Sequence, residues 1–214
     1  DGDNGEYRDA FAGRLSASVR AFVMKSVPDA CIFPRLGIGT ELGYSFRPGL
    51  ADVIRPNAFA YAYGYLPGLL DTHGIRLSAM FQCHTNSSLL SEPYASIYPR
   101  GFDDSLARLA STCPVNAKFT FDYALPFAPV DWSFLSPALY VRNFELTLHS
   151  DYAVYAVPAN HESASFYSVG ADLAARLAAV GGIPVPVRAG VSYNCCGGAV
   201  DFRHSFDLLL TVDF

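Results

Sequence analysis

The chain has 214 residues, of which 51% are hydrophobic, 14% aromatic and only 16% charged, and its formal net charge is −5. Phosphate binding needs clustered Lys and Arg, and no such cluster occurs in this sequence, so nucleic acid is excluded as a partner. An uninterrupted apolar run of about 18 residues is also lacking, so the chain could cross a membrane only with strands.

The chain starts with residues 1–12, which we expect to be a loop before the first strand. They have neither the basic nor the apolar region of a signal peptide, so such a peptide would have been removed or would lie outside this sequence. Alternation with a period of two then predicts four strands, near 13–24, 36–47, 57–66 and 73–83. In the third and fourth we expect outward-facing sets made of Phe59, Tyr61, Tyr63 and Tyr65, and of Ile75, Leu77, Ala79 and Phe81.

A long segment, 84–114, separates these strands from five more. The same period predicts them near 116–127, 139–152, 166–180, 185–194 and 203–214. In the first of the five, apolar residues such as Phe119 and Phe121 alternate with Lys118, Thr120 and Asp122. In the last, one face carries Phe206, Leu208, Leu210, Val212 and Phe214.

The polar faces of these strands decide between two all-β architectures. A soluble sandwich would have to bury the aromatic stripes in a dry core and leave the charged faces in water, and strands of 10 to 12 residues are long for it. Strands of this length match the hydrocarbon thickness of a bilayer at about 45° of tilt. We therefore expect an antiparallel transmembrane β-barrel, with the sandwich as the alternative. Only DLAARLAAVGG favours a helix.

The lengths of the connections fit the barrel in most places. Bacterial barrels have short periplasmic turns and longer external loops. If the C-terminus is periplasmic, the longer segments 84–114, 153–164 and 195–202 are all external, and 180–184 is a tight periplasmic turn. The predicted connections at 25–35 and 126–135 would be rather long for the periplasmic side.

The longest of these loops contains YPRGF, residues 98–102. Here the chain resembles the BamA-type superfamily, or bacterial surface antigen family, of outer-membrane assembly factors and two-partner secretion transporters. Those barrels carry Arg-Gly-Phe or Arg-Gly-Tyr at the tip of the sixth external loop, followed by five strands and a terminal aromatic residue. This sequence has the same order, with Arg100, Gly101 and Phe102, then five predicted strands, and then Phe214. NAKFTFDYALPF and LHSDYA also resemble that family's next two strands. The departures are Pro99, where an aliphatic residue is usual, and Asp122, where Glu is commoner.

The resemblance covers residues 13–214 and implies strands eight to sixteen of a sixteen-stranded barrel in the outer membrane of a Gram-negative bacterium. It implies assembly, insertion or translocation of polypeptides, with the lipid bilayer, other assembly subunits and substrate polypeptides as partners. Nine strands cannot close such a barrel, so an N-terminal half or another chain would complete it. The alternative is a barrel that anchors a periplasmic or surface domain, or a passive pore, with no insertase activity.

Charge and resemblance together assign a role to the motif. Arg offers five donors in a planar fork, so we expect Arg100 to pair inside the lumen with Asp151 or Asp122, with Glu145 as a third candidate. Gly101 would permit a tight bend or a positive φ. The alternative is a surface turn with a solvated Arg100. By resemblance, the apolar terminal strand would also be the signal that the assembly machinery recognises.

The remaining polar and sulfur-containing residues predict little chemistry. We expect no catalysis and no cofactor. We also expect no metal, because His149, Asp151, His161 and Glu162 are better explained as solvated polar residues than as a metal cluster. Cys83, Cys113, Cys195 and Cys196 are expected near the external end, where a disulfide could form, for example between Cys83 and Cys113. The connectivity stays open, and free thiols are the alternative.

Overall fold

The structure, a computed structural model, describes residues 13–26, 31–48, 55–84, 97–102, 106–134, 139–157, 162–180, 187–199 and 201–212. These residues form nine strands and one short helix, which confirms the all-β expectation. The helix α1 spans Ala107–Thr112. The strands are β1 Leu15–Met24, β2 Gly37–Phe46, β3 Asn57–Pro67, β4 Gly74–His84, β5 Val115–Phe134, β6 Leu139–Val157, β7 Glu162–Val180, β8 Val187–Gly198 and β9 Arg203–Val212.

All nine strands belong to one antiparallel sheet. Each strand pairs with the next along the chain, so the order in the sheet is the order in the sequence, from β1 to β9. The turn between β3 and β4 is closed by the Gly68 N–H, which donates to the His73 carbonyl oxygen at 3.1 Å. Among the described residues, β1 and β9 are the edges of the sheet.

The sheet is curved. Phe33, just before β2, packs on Tyr65 of β3 with ring centroids 5.6 Å apart, and the Arg76 guanidinium lies 5.3 Å from the Phe33 ring centroid. A single cavity is lined both by Phe33 and by Thr211 on β9, at the opposite edge of the sheet. We call the concave face, which carries Asp122 and Asp151, the inner face, and the convex face the outer face.

The polarity of the two faces is the reverse of that in a soluble protein, where apolar side chains are buried and polar ones are exposed. The inner face buries polar and charged side chains: Gln82, Asn116, Lys118, Thr120, Asp122, Asn143, Glu145, Thr147, His149, Asp151, Ser168, Asp172, Ser192 and Asn194. The outer face exposes large apolar side chains: Ile38, Leu42, Leu77, Phe81, Phe119, Phe121, Leu148, Tyr152, Tyr167, Val169, Leu173, Val191, Phe206, Leu208 and Leu210. The described residues form a single sheet, so no second layer from these residues covers the outer face.

The aromatic stripe of β3 faces inward, and our outward assignment of Phe59, Tyr61, Tyr63 and Tyr65 is wrong. Tyr65 is directly opposite Arg76, and Phe59 is directly opposite the fully buried Gln82, so each pair lies on the inner face. A Cβ on Gly39 or Gly43 of β2 would lie within 2.3 Å of the Tyr63 or Phe59 ring respectively. The two glycines therefore leave room for these rings.

Strands β5, β6 and β7 are longer than expected. β5 has 20 residues, while β6 and β7 have 19 each. The connection predicted at 126–135 is strand as far as Phe134, and β6 continues to Val157 inside the predicted loop 153–164. β8 likewise reaches Gly198, inside the predicted loop 195–202.

Candidate functional site: the inner segment and its charged anchor

Residues 97–102, which we call the inner segment, lie against the inner face. Four side chains of the sheet donate to its backbone carbonyl oxygens, one of them the Cys196 Sγ, which donates to Arg100 at 3.6 Å. The Lys118 Nζ donates to Tyr98 at 2.6 Å, the Tyr155 hydroxyl to Ile97 at 3.2 Å, and the Arg203 Nη2 to Gly101 at 3.1 Å. The donors come from β5, β6, β8 and β9, so the inner segment is bound to four strands of the sheet.

Arg100 projects into a group of three carboxylates. Its Nη2 donates to Asp122 Oδ1 at 2.5 Å, and its backbone N–H donates to Asp151 Oδ2 at 2.9 Å. Its Nε lies 3.6 Å from Asp151 Oδ2, and its Nη1 lies 3.7 Å from Asp172 Oδ2. The Asp122 and Asp151 side chains are 1% and 0% exposed, so these contacts are made away from bulk water. The structure thus brings Arg100 to both carboxylates that the sequence analysis names first.

Each of these carboxylates has a second basic neighbour on the sheet. The Arg76 Nε donates to Asp122 at 2.8 Å, and the Lys118 Nζ lies 3.6 Å from Asp151. For Asp172, this neighbour is the His149 ring, whose Nδ1 lies 3.3 Å away. Three basic residues (Arg76, Arg100 and Lys118) therefore face three acidic ones, with His149 beside them. Alternation put Lys118 on the same face of its strand as Asp122, but Arg76, Lys118 and Asp172 were not predicted to be members of this network.

Glu145, the third predicted partner, does not reach Arg100. It accepts a hydrogen bond from Arg188 Nε instead, and the Arg188 Nη2 lies 3.4 Å from the Thr147 hydroxyl. Glu145 precedes Asp151 by six residues on β6, which corresponds to about 20 Å along a strand. One guanidinium cannot span that distance, so Glu145 belongs to a separate ion pair nearer the start of β6.

Gly101 and Phe102 fit tightly under the sheet. Gly101 has φ +77°, and a Cβ at this position would lie 2.5 Å from the Ser205 Oγ and 2.7 Å from the Cys196 Sγ. Phe102 is 1% exposed and makes an edge-on contact with Phe166, with centroids 5.5 Å apart. The surface-turn alternative for this motif does not describe this arrangement, because the motif is buried against the inner face.

The cysteines are free thiols, so the disulfide considered for Cys83, Cys113, Cys195 and Cys196 does not form. Cys83 follows the inward-facing Gln82 and points to the outer face, whereas Cys113 is buried on the inner face in a hydrophobic cluster that includes Ile97, Phe102 and Phe166. Cys195 and Cys196 point to opposite faces because they are adjacent on a strand. Burial raises the pKa of the Cys113 thiol.

The terminal strand carries its apolar residues on the outer face. Phe206, Leu208 and Leu210 are 79%, 88% and 74% exposed. The backbone of Val212 pairs with Val187 on β8. Phe214 lies outside the described residues, as do His161 and the first twelve residues.

The described part of the chain was also searched for metal-binding clusters and for helices that could cross a membrane. It contains no group of His, Cys, Asp or Glu side chains suited to hold a metal ion. None of its helices is long and apolar enough to cross a membrane. The chain matches no protein-family model, no curated protein and no solved structure.

Proposed function

We propose that this chain is the C-terminal part of an outer-membrane β-barrel of a Gram-negative bacterium, and that it resembles the BamA-type superfamily in assembling or translocating other polypeptides. Strands β1–β9 would then be strands eight to sixteen of a sixteen-stranded barrel. An N-terminal half, or another chain, would supply the remaining strands.

The observation that carries the membrane part of this proposal is the reversed polarity of the two faces. In water, a sheet with one solvated face exposes its polar side and buries its apolar side. Here charged residues such as Asp151 and Glu145 are buried, while Phe119, Leu148 and Leu173 are exposed. Lipid would make the exposed apolar surface favourable, at about 25 cal/mol for each Å² removed from water. The strands β1, β2, β3, β4 and β9, with 10, 10, 11, 11 and 10 residues, also have the length of about 9–11 residues that a tilted membrane strand needs.

Support for the assembly or translocation part comes from the inner segment. The resemblance rests on Arg100, Gly101 and Phe102; Gly101 and Phe102 are buried against the inner face, and the Arg100 side chain is 25% exposed. An inner segment held by Arg100 through Asp122 and Asp151 is the arrangement that the resemblance implies.

The membrane part can be tested with tryptophan fluorescence in vesicles that contain brominated lipids. Trp132 is the only tryptophan in the chain, so Trp132→Phe provides the background. In that background, Phe119→Trp places the probe on the outer face, and Tyr61→Trp places it on the inner face. The two positions lie close together in the sheet, because Tyr61 lies in register with Met80 and Lys118, and Lys118 adjoins Phe119.

We expect brominated lipid to quench the Phe119→Trp probe several-fold more than the Tyr61→Trp probe. Equal quenching of the two probes, or no quenching of either, would contradict the proposal that lipid covers the outer face.

The assembly role requires a separate measurement. Vesicles that contain the protein should accelerate the folding of an added, unfolded outer-membrane barrel, and Arg100→Ala should reduce that acceleration. Arg20→Ala is the matched control, because Arg20 pairs with Glu41 on the exposed β1–β2 hairpin, away from the inner segment. Vesicles that bind the protein but give no acceleration would favour the anchor or passive pore instead.

A further inference from the structure

A second group of basic residues faces a cavity on the inner face. The cavity has a volume of about 360 Å³. Four arginines line it: Arg76, Arg100, Arg176 and Arg188. The first two belong to the anchor of the inner segment, whereas the other two lie on β7 and β8 near the start of β6.

The arginines differ in how far they are neutralised. Arg76 and Arg100 share Asp122, and Arg188 pairs with Glu145. Within the part of the chain that the structure describes, Arg176 makes no hydrogen bond and no ion pair. It nevertheless lines the cavity together with the paired arginines.

The strand register places Arg176 and Arg188 directly opposite each other on neighbouring strands. Like charges in this position destabilise a sheet unless a counter-charge lies between or beside them. Glu145 supplies one negative charge for the two guanidinium groups, so one positive charge remains. Asp172, the next carboxylate on β7 that faces the cavity, is already close to Arg100 and His149.

The same register extends the two arginines into a row of hydrogen-bonding side chains. Asn143 on β6 lies opposite Arg176, and Thr211 on β9 lies opposite Arg188. The row therefore crosses four strands and offers amide, guanidinium and hydroxyl groups side by side.

We propose that the row Asn143, Arg176, Arg188 and Thr211 binds a phosphate group, held mainly by the two guanidinium groups. Guanidinium forks match the geometry of phosphate oxygens and form bidentate hydrogen bonds with them. Chloride could balance the single excess charge of the row, but it lacks the oxygens that accept bidentate hydrogen bonds from the two guanidinium forks. This site does not depend on the membrane or assembly role, since it follows from charge and register on the inner face alone.

Titration calorimetry of the detergent-solubilised protein in chloride buffer tests the site. One arm uses inorganic phosphate and the other glycerol 3-phosphate, so that tighter binding of the ester identifies an esterified source such as a lipid headgroup, and equal or weaker binding identifies free phosphate. We expect Arg176→Gln to weaken the binding of either ligand at least about 10-fold, the effect of one lost charged hydrogen bond.

The matched control is Arg76→Gln, which removes a positive charge from the same cavity but from outside the row. We expect this variant to weaken phosphate binding less than about 3-fold. Far-ultraviolet circular dichroism should show that both variants keep their strand content. Absence of saturable binding by the wild type, or an equal loss in both variants, would overturn the proposal.

Discussion

Replacing Arg100 with Ala is the sharpest perturbation of the inner segment. The substitution removes the guanidinium and its contacts with Asp122, Asp151 and Asp172, but the backbone N–H of residue 100 can still donate to Asp151. The inner segment also keeps the hydrogen bonds to its carbonyl oxygens from Lys118, Tyr155 and Arg203. We therefore expect the inner segment to loosen while the sheet stays folded.

The magnitude follows from what each carboxylate retains. Loss of a charged hydrogen bond costs about 1.5–3 kcal/mol, and isolating a buried charge costs about 3–5 kcal/mol. Asp122 keeps Arg76, and Asp151 keeps Lys118, so neither carboxylate is left alone. One uncompensated negative charge nevertheless remains in the network. From these limits we expect the docking free energy of the inner segment to fall by about 2–4 kcal/mol. This corresponds to a fall of about 30- to 1,000-fold in its protection from hydrogen exchange.

Hydrogen exchange read by mass spectrometry measures this directly. Peptides that cover residues 97–102 should lose protection, while peptides from the centres of β5 and β6 should not. In Arg100→Ala/Asp122→Asn, the missing negative charge should restore part of the protection, so the two substitutions together should cost less than their sum. Unchanged protection of residues 97–102 in Arg100→Ala would refute the role given to the guanidinium, and strict additivity would refute the charge argument.

Three further substitutions or measurements test the packing around the inner segment. Gly101→Ala should weaken docking of the inner segment by more than the roughly 1–2 kcal/mol that a left-handed backbone costs an L-residue, because the added Cβ would also clash with neighbouring atoms. The rate of proteolysis within the inner segment should therefore rise, and an unchanged rate would contradict this. Phe102→Ala should lower the free energy of unfolding by about 3–5 kcal/mol in a urea titration, and the milder Phe102→Leu by less, since the ring packs on Phe166; equal effects would count against that contact. In single-cysteine variants, maleimide should modify Cys195 faster than the fully buried Cys196, and the reverse order of rates would show that the faces are assigned wrongly.

The strands could be predicted from the sequence because polar and apolar residues alternate in most of them. The extension of β5 to Phe134 could not, since Pro126 and Pro129 are typical of a loop. In the structure the pairing register with β6 shifts beside each of these prolines, and β4 pairs with β5 only as far as Ala124. The missing N–H groups are tolerated because this part of β5 has a neighbour on one side only.

The face of β3 could not be predicted because both of its faces are apolar. Its aromatic residues alternate with alanines such as Ala60 and Ala62, so the period of two defines two stripes without saying which one points inward. The assignment depends on the neighbouring strands. Gly39 on β2 leaves space for a ring, and Arg76 on β4 fixes the inward side.

The candidate site could be predicted only in part, because its assignment also depends on the neighbouring strands. Charge and the resemblance together indicated that Arg100 would pair with an inward carboxylate, and alternation placed Asp122 and Asp151 on inner faces. The depth of each residue along its strand depends on register, which the sequence does not give. This is why Glu145 was included although it lies too far along β6, and why Asp172 was not chosen as a partner.

The charge balance of the network around Arg100 bears on how a polypeptide could use this sheet. The strands contribute Arg76 and Lys118 against the carboxylates Asp122, Asp151 and Asp172, and only Arg100 of the inner segment makes the numbers of basic and acidic groups equal. Displacing the inner segment to open a path along the inner face would leave an excess buried negative charge. Pairing a client strand with a free sheet edge would leave the anchor in place. If the proposed assembly function is correct, the edge is therefore the less costly route, and Arg100→Ala should favour passage along the inner face over assembly at the edge.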